Sequence, residues 1–79
     1  MIYIQDGKSS QGHSVKMQPG HPYGWDIFSD AKPKPSASQI NEMMDWCVEN
    51  ANRRGWLFHR RAFWFASHVD ACAFKMRFG

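Results

Sequence analysis

The stretch WLFHRRAFWFAS, residues Trp56–Ser67, decides the fold. It is the most β-prone part of the chain, because aromatic side chains suit a pleated, half-buried surface. Twelve residues would be long for one strand. We read two strands, turning at Arg60-Arg61, although a two-residue hairpin turn favours Asn-Gly over Arg-Arg. In the second strand Phe63 and Phe65 share one face, and Ala62, Trp64 and Ala66 share the other.

Upstream, Ser36–Arg54 is the clearest helix. Ser36 and Gln39 fit a capping box, in which hydroxyl and amide satisfy reciprocal free backbone N–H groups. Ile40, Met43, Met44, Cys47, Val48 and Ala51 follow the spacing of one apolar stripe. Arg53 and Arg54 fall at the C-terminal end, where cations complement the helix dipole, and Gly55 is the expected residue just past it. Downstream, Ser67 caps a second helix with Asp70 in its first turn. Val69, Cys72, Ala73 and Met76 supply its expected stripe, with Phe74 and Phe78 an i, i+4 pair beside it.

The N-terminal part is less regular. Met1–Ile4 is expected to be a strand, Asp6-Gly7 a turn, Lys8–His13 a loop and Ser14–Gln18 a second short strand. Pro19–Pro35 reads as irregular chain, with Trp25–Phe28 as a short edge strand. The order is β(β)-α-β-β-α in one domain, 1–79. This predicts an α+β fold: a small antiparallel sheet with two helices on one face, partly ferredoxin-like.

The chain is 79 residues long, and four Trp, six Phe and two Tyr stand beside a single leucine, Leu57. Its core is therefore expected to be made of rings and thioethers. A core this small also suits either a monomer or a homodimer. No apolar run approaches the ~20 residues that a membrane helix needs. The start, MIYIQDGKSS, lacks the pattern of a secretory leader, so Cys47 and Cys72 are expected to be reduced and the location cytoplasmic.

Charge is unevenly placed. Residues 1–52 carry a net −2, and residues 53–79 carry a net +5 that includes every arginine. The functional expectation rests on that basic, aromatic half. Arg53, Arg54, Arg60, Arg61 and Arg77 supply guanidinium forks that suit phosphate or carboxylate. Trp56 and Trp64 supply apolar contact area of the kind found at binding hot spots. The bland alternative makes the rings core and the arginines a solvated surface.

Other chemistry has less support. The four His and two Cys show no structural zinc spacing, and no metal is expected. Cys72 has His68 one helical turn upstream, a pairing that nucleophilic chemistry requires, but the periodicity puts Cys72 on the buried side. No glycine loop fit for phosphate exists, and no cofactor is expected.

Two resemblances lie at the C-terminus. Arg61-Ala-Phe-Trp-Phe-Ala-Ser67 followed by Asp70-Ala71 is similar to the third strand and second helix of RNA-recognition-motif domains, which implies a ferredoxin-like arrangement. Phe63-Trp-Phe65, Asp70-Ala71 and Phe74-Lys-Met-Arg-Phe-Gly79 together resemble an ending met in small phage-encoded proteins, among which inhibitors of host machinery, including anti-CRISPR proteins, are prominent. That second resemblance implies a non-catalytic inhibitor that sterically blocks a host protein or nucleoprotein complex in the host cytoplasm. The alternative is direct binding of DNA or RNA through the same basic, aromatic surface.

Overall fold

A computed structural model describes residues 1–79. Five strands form one antiparallel sheet: β1 (Ile2–Gln5), β2 (Lys8–Ser9), β3 (Tyr23–Asp26), β4 (Trp56–His59) and β5 (Ala62–Phe65). Two helices complete the α+β fold, α1 (Ala37–Asn50) and α2 (His68–Phe78). The spatial order is β2-β1-β3-β5-β4. Strands β3 and β4 therefore run parallel to each other, with β5 inserted antiparallel between them. The run β3-α1-β4-β5-α2 is thus a split βαβ unit followed by a strand and a helix, the ferredoxin-like order without its last strand. Strand β1 of the N-terminal hairpin fills the free flank of β3.

The β4–β5 hairpin forms as expected, and its turn is two residues long. Register pairs His59 with Ala62, so Arg60 and Arg61 are the loop. Both hold positive φ, 52° and 66°. A type I′ turn demands this, because its twist matches that of the strands. The N-terminal hairpin uses the favoured chemistry for the same geometry, with Asp6 at φ 51° and Gly7 at φ 82°.

Three expectations are corrected in the N-terminal part. The partner of β1 is Lys8–Ser9, within the expected loop, because Asp6-Gly7 reverses the chain at once. Ser14–Gln18 forms no strand; it makes isolated bridges only, Lys8 with Ser14 and Gln18 with His21. Its Val15 N–H donates to the Gly7 carbonyl at 2.8 Å, bending residues 10–18 into an arch. Strand β3 is central and not an edge, and it starts at Tyr23. Gly24 permits this placement: a Cβ there would stand 2.7 Å from Trp64 Cε3.

Alternation divides the rings. Tyr23, Trp25, Phe63 and Phe65 face the helices, with Phe63 and Phe65 fully buried. Phe74 of α2 packs on both, at ring-centroid distances of 5.0 and 5.3 Å. Trp46 of α1, which the periodicity had not singled out, meets Phe74 and Phe78 edge-on, each at 5.9 Å. The opposite face carries a smaller cluster of Ile4, Ala62 and Trp64, with Val15 of the arch and Leu57 against it.

Both helices differ in detail from expectation. The capping box of α1 is present, with Gln39 N–H donating to Ser36 Oγ and Ser36 N–H to Gln39 Oε1. That reciprocal pair is worth about 1 kcal/mol. The helix stops at Asn50 instead of running to Arg54, because Ala51 is extended (φ −89°, ψ 161°) and Asn52 N–H is drawn to Asp70 Oδ2 at 3.1 Å. Gly55 consequently closes a turn onto the Asn52 carbonyl and is not a helix cap. On α2 the stripe is Ala71, Phe74 and Phe78; Val69 and Met76 are 74% and 87% exposed, and Cys72 is exposed. The i, i+3, i+7 spacing of Ala71 and the two rings, with the larger burial they offer, sets which side of α2 meets the sheet.

Candidate functional site

The five arginines do not converge. Arg53 and Arg54 lie in the turn that enters β4, and Arg60 and Arg61 lie in the turn that leaves it. One strand length, roughly 15 Å, separates the two pairs. Arg77 lies near the end of α2 and its Nη2 donates to Glu42 Oε1 of α1 at 3.0 Å. Both partners are more than half exposed, so the pair adds little stability. It does neutralise the charge locally and turns Arg77 toward the protein's own helix.

The two tryptophans go into packing. Trp64 is 1% exposed, which corrects its expected place on a contact surface. Its ring lies against Gly24, and its indole N–H donates to the His59 carbonyl at 2.9 Å, bracing the hairpin. Trp56 is half-buried and stacks on Phe63 at 6.2 Å. Phe63 is fully buried, so it has no face for a base.

The hairpin tip stands outside the packing, as do Arg53 and Arg54, which are exposed and in no ion pair. Arg60 and Arg61 are exposed and belong to neither ion pair of the chain, which join Met1 to Asp30 and Arg77 to Glu42. Their neighbour is the turn after β3, where Asp26 Oδ1 accepts the N–H groups of Phe28 and Ser29, and Oδ2 accepts Ser29 Oγ at 2.6 Å. Burial pushes the Asp26 carboxyl up, but those hydrogen bonds and the Arg61 charge outweigh it and hold it below the usual carboxylate range. The tip is also anchored through its backbone, since Ile27 N–H donates to the Arg61 carbonyl at 3.1 Å.

Beside the tip, a cleft of about 350 Å³ opens on the face of the sheet away from the helices. Its floor is Ile2, Ile4, Ala62 and Trp64, and its rim includes Lys16 of the arch and Arg60.

A second concavity lies between α2 and β1, lined by Tyr3, Trp25, His68, Cys72, Lys75 and Met76. Cys72 Sγ is 3.7 Å from His68 Nε2. The spacing had indicated this approach, and its exposed position corrects the expectation that Cys72 is buried. Cys47 behaves as expected: burial, with a smaller push from Asp70, raises its thiol to about 12. No group of three or more His, Cys, Asp or Glu side chains is placed to hold a metal ion.

No family model, curated protein or solved structure matches this chain. The fold and site thus define an α+β domain with an arginine-tipped hairpin. No helix is long and apolar enough to cross a membrane.

Proposed function

We propose that this chain is a non-catalytic binding protein that docks through the Arg60–Arg61 hairpin tip onto an acidic or phosphate-bearing surface of a larger assembly. The observation that carries the reading is the tip itself: two exposed, unpaired arginines stand where the backbone requires positive φ at both positions. Left-handed backbone disfavours residues with a Cβ by about 1–2 kcal/mol each. Such strain concentrates at functional positions. The tight turn also presents both guanidinium groups with little backbone freedom left to lose on binding.

The concrete version is a phage- or mobile-element-type inhibitor that sterically blocks a host protein or nucleoprotein complex in the host cytoplasm, with anti-CRISPR inhibition as the first case to test. The likeness of the C-terminal element to small phage proteins supports it. Binding of DNA or RNA alone has less support, because Phe63 and Trp64 are buried and the arginines are split between two ends of the sheet.

The test is co-elution with purified CRISPR effector complexes, using R60E/R61E beside R53E/R54E. Reversal at the tip is expected to weaken binding by about 100-fold or more, and reversal at the far end by much less. No complex with any effector removes the anti-CRISPR version. Equal binding by R60E/R61E and the parent removes the tip as the docking site. A gel shift that weakens steeply with salt and needs no protein partner replaces the reading with direct nucleic-acid binding.

A further inference from the structure

The two outer edges of the sheet differ. At one, the arch covers β2: Ser9 N–H donates to the His13 carbonyl at 2.9 Å, and Lys8 bridges to Ser14. At the other, β4 pairs with β5 on one side and with no strand on the other. The two-residue turn fixes which backbone groups of β4 are left over. His59 and Ala62 flank it, so the hydrogen-bonded pairs of this hairpin are His59–Ala62 and Leu57–Trp64. Ala66 N–H, donating to the Gly55 carbonyl at 2.8 Å, continues the same alternation. The N–H and C=O groups of Trp56 and Phe58 therefore point away from β5, and no other hydrogen bond of the chain uses them.

A row of free backbone groups is a template for one more strand. Charge selects what can fill it. Arg53 and Arg54 flank one end of β4 and Arg60 and Arg61 the other, all exposed and in neither ion pair. Residues 51–69 hold no Asp or Glu. A second copy of β4 laid antiparallel would set Arg60-Arg61 of one chain against Arg53-Arg54 of the other. Laid parallel, it would set each pair beside its own copy. Either way like charges meet at both ends, which opposes self-pairing. An acidic strand meets opposite charge at both ends.

We propose that the free edge of β4 seats an extended acidic segment of the partner, about six residues long, added to the sheet as a further strand. This names the chemistry of what the Arg60–Arg61 tip docks on, and it rests on that reading. The middle of the segment exchanges backbone hydrogen bonds with Trp56 and Phe58. Carboxylates before and after it reach the two arginine pairs, whose forks match them. Side chains opposite Trp56 and Phe58 fall beside two half-buried rings that pack on Phe63 at 6.2 and 4.7 Å. Apolar β-branched residues suit those positions.

The experiment is amide exchange by ¹H–¹⁵N NMR on the full chain, with an acetylated, amidated octapeptide that alternates glutamate and valine. In the free chain the Leu57 and His59 amides are expected to exchange slowly and those of Trp56 and Phe58 rapidly. Saturating peptide is expected to slow Trp56 and Phe58 by about tenfold or more. The same peptide N-methylated throughout keeps its charge but loses its donors, and is expected to bind at least about tenfold more weakly. A lysine–valine peptide is expected not to bind. R53E/R54E and R60E/R61E are each expected to weaken the glutamate peptide about tenfold, with the Trp64 indole resonance reporting an intact fold. The proposal is overturned if Trp56 and Phe58 exchange as in the free chain, if the N-methylated peptide binds as tightly, or if the glutamate and lysine peptides bind alike. Shifts confined to the Arg60 and Arg61 amides overturn the added strand and leave docking by the tip intact. Undiminished protection in R60E/R61E, with R53E/R54E impaired, supports the added strand and removes the tip. Protection that grows with protein concentration in the absence of peptide overturns the acidic occupant in favour of a second copy of the chain.

Discussion

Replacing Arg60-Arg61 with Asn-Gly tests the account of the hairpin most sharply. Both residues sit at positive φ, 52° and 66°. Each such residue with an ordinary side chain costs about 1–2 kcal/mol, so the turn holds roughly 2–4 kcal/mol of backbone strain. Asn tolerates this conformation and relieves part of it; Gly relieves all of it at its position. Against that, Gly adds unfolded-chain entropy worth about 0.4–1 kcal/mol. The backbone bonds that brace the tip, Ile27 N–H to the Arg61 carbonyl and Trp64 indole to the His59 carbonyl, do not depend on the replaced side chains. The net expectation for R60N/R61G is a gain of about 1–2 kcal/mol, or an increase in Tm of about 4–16 °C for a domain of this size. Calorimetry, with urea unfolding as a second measure, reads it. The same variant should lose partner binding, so stability and function would move in opposite directions. An unchanged or lowered Tm would show that the turn carries no such strain, and the argument from strain to a docking role would fall with it.

Three further outcomes are expected. In G24A the new Cβ meets Trp64 Cε3 at 2.7 Å, and the indole has little room to yield because it is 1% exposed and tethered to His59. Urea unfolding should show a loss of about 1–3 kcal/mol, and W64F should recover part of it in a double-mutant cycle; additive losses would contradict the contact. In the native protein a thiol reagent at pH 8 should modify Cys72 rapidly and leave Cys47 untouched, with both reacting after unfolding. Rapid modification of two thiols in the native state would mean that Cys47 is not sealed. For Cys47, a folded-state thiol raised to about 12, above its unfolded value of about 8.5, favours the folded state fully at neutral pH. Its contribution is lost as pH rises above the unfolded value, by about 1 kcal/mol between pH 9 and pH 10. C47A should show a shallower alkaline decline than the parent in chemical unfolding at these pH values, and an identical slope would refute the coupling.

Local chemistry made several elements legible in the linear chain. The Ser36–Gln39 box marks the start of α1, Asp6-Gly7 the first reversal, and the ring-rich run at residues 56–67 the paired strands. These signals act between residues a few positions apart, so no tertiary partner is needed to read them. The stripe on α2 was misread because two sets of apolar side chains compete for burial there. Only the sheet decides between Val69–Met76 and Ala71–Phe74–Phe78, and it takes the set with the larger rings. The end of α1 was likewise set from outside the helix, by the Asp70 carboxylate on another element.

The binding surface divides along the same line. Residue order placed every arginine in residues 53–79, and the apolar periodicities with the high aromatic content made the chain α+β with an aromatic core. Where those arginines point depends on strand direction. β4 carries one pair to each of its ends, and α2 returns Arg77 to Glu42. The cleft is more hidden still, because its floor and two walls come from β1, the arch, the turn after β3 and the second hairpin. Charge content is a property of the chain, but a concave surface requires elements far apart in sequence to be brought to one face. Here the register of a central strand does this, and Gly24 makes that register sterically possible by leaving room for Trp64.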